Sequence, residues 1–226
     1  MKLSILMLTK AVFFDLDGTL LNTFPDLLSA ANQQLIKYHR PVILEEEAKK
    51  YLYHGSTALI NYLFEELSHE DRQKLYEEYL KIYKECMTKK THFYPGILET
   101  LNFLDEKKIP WGVITNKMYF LAAPLLQHFN LMNRALCLVG PETVNGKRKP
   151  DPDPLLYACK LAKIKPEEAV YVGDTYTDTG AAKAAHMPMV LVRYGYMPDY
   201  QELSHEADYC IDKGTELLVT LQKYFL

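Results

Sequence analysis

Four short apolar runs, each ending abruptly in polar residues, constrain this chain more than any other feature. They span residues 11–16, 111–115, 169–173 and 189–192. Apolar on both faces, runs of this length read as buried strands of a parallel sheet. Residues 136–139 form a weaker fifth run and 209–211 a sixth. Helical patterns lie between them. Residues 96–108 carry Ile97, Leu98, Leu101 and Leu104 on one face, and 120–129 carry Leu121, Leu125, Leu126 and Phe129. Residues 153–163 open with Pro154 in the first turn and carry Leu155, Leu156, Cys159 and Ala162. Strands alternating with helices predict an α/β fold, a parallel sheet with helices on both faces.

Residues 24–91 break that rhythm and hold no convincing strand. Leu27, Leu28, Ala31, Leu35 and Tyr38 are at helical spacing, and a second helix is expected over 56–67. Ser68 with Asp71 resembles a capping box and opens a third helix to about Met87. Its stripe of Leu75, Tyr76, Tyr79, Ile82, Tyr83 and Cys86 reads as the packing face of a helical bundle. The acidic run Glu45-Glu46-Glu47 reads as a solvated helix face. A helical insert therefore follows the first strand of an α/β domain.

A chain of 226 residues, 48% of them hydrophobic, can build one sizeable core plus a small second unit. A net charge of -3 offers no broad basic surface, so nucleic acid is not an expected partner. No segment approaches the ~20 apolar residues of a membrane span, and no membrane partner is expected. The four cysteines form no Cys-x-x-Cys pair, and a chain this long needs no disulfide framework, so a reduced, cytoplasmic setting is expected. His69-Glu70 and His205-Glu206 lack the second histidine of a zinc protease helix. Residues 1–8 are apolar but too short for a signal peptide, with no small-residue cleavage site before Lys10; Met7 is a candidate natural start.

Open α/β sheets bind ligands at the carboxyl ends of their strands. The first strand is followed by Asp15, Asp17, Gly18 and Thr19, the second by Thr115, Asn116 and Lys117. The run 169–173 is followed by Asp174 and then Asp178, and Lys149-Pro150 precedes it. An Asp-Gly pair alone marks a turn. Four carboxylates on one sheet edge are different. At about 4 Å and an effective dielectric of about 20, each pair repels by about 4 kcal/mol, so such a cluster takes up protons or cations. All-oxygen donors with no nearby His or Cys favour a hard cation, magnesium best. With a lysine and a hydroxyl added, the edge suits a phosphoryl group. Asp15 is then the nucleophile and Asp17 the acid and base, while Asp174 holds magnesium with support from Asp178.

These segments resemble the four motifs of the haloacid dehalogenase superfamily, in order. Phe13-Phe14-Asp15-Leu16-Asp17-Gly18-Thr19-Leu20 looks like the first and Val113-Ile114-Thr115-Asn116-Lys117 the second. Lys149-Pro150 looks like the third and Val172-Gly173-Asp174-Thr175-Tyr176-Thr177-Asp178 the fourth. The resemblance implies a Rossmann-like α/β core over 1–22 and 92–226, with a small α-helical cap over 23–91. It implies Asp15, Asp17 and Lys149 as catalytic residues, and Thr115, Asn116 and Gly18 around the phosphate. It also implies Mg2+ on Asp15, Asp174 and the backbone carbonyl of Asp17, with Asp178 behind them.

Asp17 separates the phosphatases from the dehalogenases, although phosphomutases share it. The 115–117 triplet and Tyr194-Gly195-Tyr196 look more like phosphoglycolate phosphatases. The stretch 149–160 is similar to these and to N-acetylmuramic acid 6-phosphate phosphatases. The resemblance thus implies a small phosphorylated substrate and a monomer or homodimer. A phosphomutase, or a silent binding protein on the same fold, is the competing reading. The loop Tyr53-His54-Gly55-Ser56 looks like the cap's specificity loop, so His54, Gly55 and Ser56 are the expected selectivity residues. Two positions depart from the family pattern: Asn22 stands where Asp is frequent, and His186 where glycine is frequent after the last motif's helix.

Overall fold

The computed structural model describes residues 9–197 and 200–226, so the candidate start at Met7 lies outside the described residues. The strands are β1 (Ala11–Phe14), β2 (Leu21–Asn22), β3 (His92–Phe93), β4 (Trp111–Ile114), β5 (Leu138–Val139), β6 (Ala169–Gly173), β7 (Met189–Val192) and β8 (Tyr209–Ile211). Six of them form one sheet in the order β5-β4-β1-β6-β7-β8, with parallel pairing throughout. The α/β class expected from the alternation is the one observed. β2 and β3 make a separate two-stranded sheet.

The chain divides into two compact units. Among the described residues, one holds 9–21, 93–195 and 200–226; the other holds 22–92 and 196–197. In the first, β1 is central, and all four of its residues are fully buried. Phe14 is in register with Val113 of β4 and with Val172 of β6, so the residues that follow all three strands emerge at one edge. The chain runs from β1 outward to β4 and β5, then crosses to β6 on the other side of β1. That reversal of direction is where an open sheet leaves a ligand crevice.

The helices of this unit are α5 (Ile97–Glu106), α6 (Tyr119–His128), α7 (Asp153–Ala162), α8 (Tyr176–Ala185), α9 (Gln201–Ser204) and α10 (Leu217–Tyr224), numbered after the four helices of the second unit. Phe13, Ile114, Tyr171 and Leu191 pack in one core cluster with Leu155 and Ala158 of α7 and Ala181 and Ala182 of α8. Alternate strand residues thus serve one layer of helices, as the period of two requires.

The second unit is built from α1 (Phe24–Lys37), α2 (Glu45–Leu52), α3 (Ser56–Leu63) and α4 (His69–Cys86). The tyrosine stripe of α4 does face inward: Leu75, Tyr79, Tyr83 and Cys86 are buried, and the Tyr79 hydroxyl donates to Leu27 O at 3.1 Å. Ser68 caps α4, its hydroxyl accepting from the Asp71 amide at 3.1 Å. Helix α3 stops at Leu63, short of the expected Leu67. Arg40 donates to the carbonyl of Leu63, the last residue of the helix, while its guanidinium lies over the buried ring of Phe64, closing the helix there. Buried Asp26 accepts from the amides of Lys90 and Thr91 and from the Thr91 hydroxyl, so one carboxylate ties the start of α1 to the end of the insert.

His186 ends α8 in the left-handed region, with φ 55°, and is exposed. This explains why glycine is frequent here in the family that the motifs resemble: a Cβ is strained in this conformation. Replacing it, His186→Gly, is expected to stabilise the fold by about 0.5–1 kcal/mol in urea unfolding. A loss of stability would show that the imidazole makes a compensating contact.

Candidate active site

Two strands, a helix and a loop deliver the charged groups. Asp15 follows β1, its amide bonded to Val172 O at 2.9 Å, and it is nearly buried. Asp174 follows β6, and Asp178 lies one turn into α8; both are fully buried. One carboxylate oxygen of each of the three lies within 4.8 Å of the others. Lys149 enters from the loop before α7, its side chain 1% exposed.

The Lys149 ammonium donates to Asp178 Oδ1 at 2.6 Å, to the Tyr171 hydroxyl at 2.8 Å and to Ile114 O at 3.1 Å. Those bonds use its three protons. Asp15 Oδ1 sits 2.9 Å from the same nitrogen but accepts no hydrogen bond, although it is buried. Burial works against the charge on Lys149, yet Asp15 and Asp178 outweigh it and hold its pKa above the ordinary range. For Asp15, burial is the largest influence and raises the pKa. Lys149 opposes it and Asp178 and Asp17 add to it, leaving the carboxyl at about 7.

Asp178 is saturated by protein donors. Its Oδ1 takes Lys149 and the Tyr171 hydroxyl; its Oδ2 takes the Thr175 amide at 2.9 Å, the Thr175 hydroxyl at 2.7 Å and the Asp174 amide at 3.2 Å. The last three contacts are the N-terminal cap of α8, which holds the carboxylate at the positive end of the helix. Asp174 accepts from the Thr19 hydroxyl at 2.8 Å. Backbone wraps it closely: a Cβ on Gly18 would come within 2.3 Å of Asp174 Oδ2, and one on Gly195 within 2.2 Å. Gly18 also has φ +84°. Both positions therefore need glycine.

The turn after β1 closes on itself through Leu20 N and Leu21 N to Leu16 O and Gly18 N to Leu21 O, which fixes Asp17 beyond the strand end. Lys117 donates to both oxygens of Asp17 at 3.1 Å. Thr115 is buried and its hydroxyl accepts from the Lys117 amide at 3.1 Å. The Asn116 side chain donates to Lys149 O and accepts from Lys149 N, both at 2.9 Å, so it fixes the backbone that carries the lysine. Asp15, Asp17, Gly18, Thr115, Asn116, Lys149, Asp174 and Asp178 are thus brought to one end of the sheet. His54, Gly55 and Ser56 sit together in the second unit, at the turn joining α2 to α3, with His54 exposed and its ring against Tyr53 at 3.6 Å.

Three participants escaped the sequence reading. Tyr171 reads as a core strand residue, and nothing local shows that its hydroxyl reaches Lys149. Gly195 lies in the Tyr194-Gly195-Tyr196 segment after β7, and nothing local shows that it closes on Asp174. Lys117 lies inside the second motif, which gives it no role.

The profile of the family described as haloacid dehalogenase-like hydrolase matches residues 12–192. The chain belongs to that family. Among the relatives of this haloacid dehalogenase-like hydrolase is a phosphoglycolate phosphatase of Xanthomonas campestris pv. campestris, 34% identical over 92% of this chain and 94% of the other. Another is an N-acetylmuramic acid 6-phosphate phosphatase of Pseudomonas aeruginosa, 32% identical over 95% of each. A crystal structure from Haemophilus somnus 129PT, described as a predicted phosphoglycolate phosphatase, superposes with a TM-score of 0.82 at 26% identity, over 95% of this chain and 98% of that one.

The donor set of this hydrolase suits a divalent cation. Ionised, Asp15, Asp174 and Asp178 carry three negative charges against the one positive charge of Lys149. Two units stay uncompensated, all donors are oxygen, and Asp15 Oδ1 is a buried acceptor without a hydrogen bond. Asp15 also couples stability to pH. Its folded pKa, about 7, lies above the ordinary 3.8, so the fold favours the neutral carboxyl. The stabilising contribution is complete below the unfolded value and is lost as pH rises through the folded one. In a chelator, the wild-type melting temperature is expected to fall from about pH 5 to about pH 7.5, and less so in Asp15→Asn. Identical pH profiles for the two proteins would contradict this.

Proposed function

We propose that this hydrolase cleaves phosphomonoesters through an aspartyl phosphate on Asp15, with Mg2+ as its cation. One observation carries the reading: Asp15 Oδ1 is a buried carboxylate oxygen without a hydrogen bond, at the carboxyl end of the central strand and 2.9 Å from Lys149. An oxygen in that state is available to attack phosphorus. The Asp15–phosphorus bond forms as the phosphorus–ester bond breaks, and the leaving oxygen takes a proton from Asp17. Asp17, now a carboxylate, accepts a proton from the water that attacks the aspartyl phosphate, which releases phosphate and restores Asp15.

The Thr115 hydroxyl and the backbone at Asn116 and Gly18 would surround the phosphoryl group, and Lys149 balances the charge on Asp15. Asp15, Asp174 and the Asp17 carbonyl would hold Mg2+, which supplies Lewis-acid charge for the phosphoryl group when bound. Asp178, with both oxygens committed, would hold Lys149 and the Asp174 amide in place.

Phosphoglycolate is the first substrate to test, on the strength of the Xanthomonas relative, and N-acetylmuramic acid 6-phosphate the second, on the Pseudomonas one. His54, Gly55 and Ser56 are proposed to choose between such substrates, in a helical cap over 23–91 inserted into the 1–22 and 92–226 core. The setting we propose is the cytoplasm, as a monomer or homodimer, in keeping with free cysteines and the absence of any described helix long and apolar enough to cross a membrane.

The test is a panel of phosphomonoesters containing both candidates and p-nitrophenyl phosphate, assayed with Mg2+ and with EDTA. Phosphate release that needs the metal and is lost in Asp15→Asn, whose circular dichroism stays native, is expected. Substantial turnover in Asp15→Asn would refute the nucleophile, and a sugar bisphosphate product would favour a mutase.

A further inference from the structure

Lys117 and Asp17 are 100 residues apart in sequence, yet the lysine grips both oxygens of the aspartate at 3.1 Å. The pair is not a surface ion pair: the Lys117 side chain is 7% exposed and that of Asp17 23%. Both ends are anchored by backbone. The Lys117 amide bonds the Thr115 hydroxyl at 3.1 Å, and Thr115 N continues the sheet to Val139 O at 2.9 Å. Asp17 is fixed by the closed turn that follows β1. A symmetric two-oxygen grip between two anchored groups restricts how the carboxylate can swing.

We infer that Lys117 is a positioning residue for Asp17, holding its carboxylate on line with the leaving oxygen and stabilising the negative charge it acquires when it gives up its proton. The inference rests on the phosphatase reading above and assigns a role that the four motifs leave open. The ester oxygen departs with the electron pair of the phosphorus–oxygen bond and takes the Asp17 proton. Asp17 is left as the carboxylate that Lys117 grips. A preorganised cation next to a charge that develops in the transition state lowers the barrier without reorganisation. A flexible ammonium paired through two contacts also fixes direction, which matters because proton transfer needs the donor within hydrogen-bond reach of the ester oxygen.

This role has a signature that loss of folding does not share. An alkyl leaving group needs the proton; p-nitrophenolate leaves without it. The ratio kcat/KM reports events through phosphoryl transfer to Asp15 and excludes later hydrolysis. Lys117→Met is therefore expected to lower kcat/KM about tenfold or more for the best alkyl phosphate of the panel, and less than about threefold for p-nitrophenyl phosphate. Lys117→Arg, which keeps the charge and can pair through two contacts, should recover most of the alkyl activity. In an Asp17→Asn background, Lys117→Met should add no further loss on the alkyl ester.

Equal losses on the two esters, or additive losses in the double variant, would overturn the assignment and place Lys117 on the phosphate or in the fold. Should the wild-type protein release phosphate from no ester at all, the phosphatase reading fails and this inference falls with it. Wild-type activity with equal losses refutes the role of Lys117 alone.

Discussion

Lys149 is the group on which the rest of the site depends. It is almost completely buried, and a buried ammonium is tolerable only if it is paired and hydrogen-bonded. Here it meets a carbonyl at the end of β4, a tyrosine hydroxyl from β6, the Asp178 carboxylate from α8 and the Asp15 carboxylate after β1. Each comes from a different element, so the lysine reports whether the whole edge is assembled. The Asn116 side chain secures it through two bonds to the Lys149 backbone. Removing the lysine would leave Asp15 and Asp178 buried without their cation, a far costlier change than losing an exposed pair.

The topology explains why so few residues suffice. Parallel strands in the order β5-β4-β1-β6-β7-β8 put the ends of β4, β1 and β6 side by side. Asp15 and Asp174 flank the switch point as a consequence of register. Asp178 arrives because α8 starts at once after β6, and its carboxylate doubles as the helix cap. Gly18 and Gly195 then let backbone close over Asp174 at a distance that no side chain would permit.

Much of this was legible in the sequence, for a physical reason. A strand buried on both faces is apolar throughout, so it stands out, and the polar residue that ends it marks the ligand edge. That locates Asp15, Thr115 and Asp174 without a structure. β2 and β3, two residues each, are too short to show any period. The end of α3 depended on Arg40, more than twenty residues before it in sequence, and local pattern does not carry that. Tyr171 hid for the opposite reason: an aromatic residue in an apolar run signals core, and only the fold shows that its hydroxyl meets Lys149 and Asp178. The Lys117–Asp17 pair and the approach of Gly195 to Asp174 are likewise contacts between distant segments.

Everything proposed about the chemistry turns on Asp15 becoming phosphorylated. The direct measurement is to quench turnover with acid, reduce the protein with borohydride and map the peptides by mass spectrometry. An aspartyl phosphate at position 15 would be read as homoserine there, appearing only with substrate. Homoserine at another aspartate, or none at any while phosphate is being released, would contradict the account.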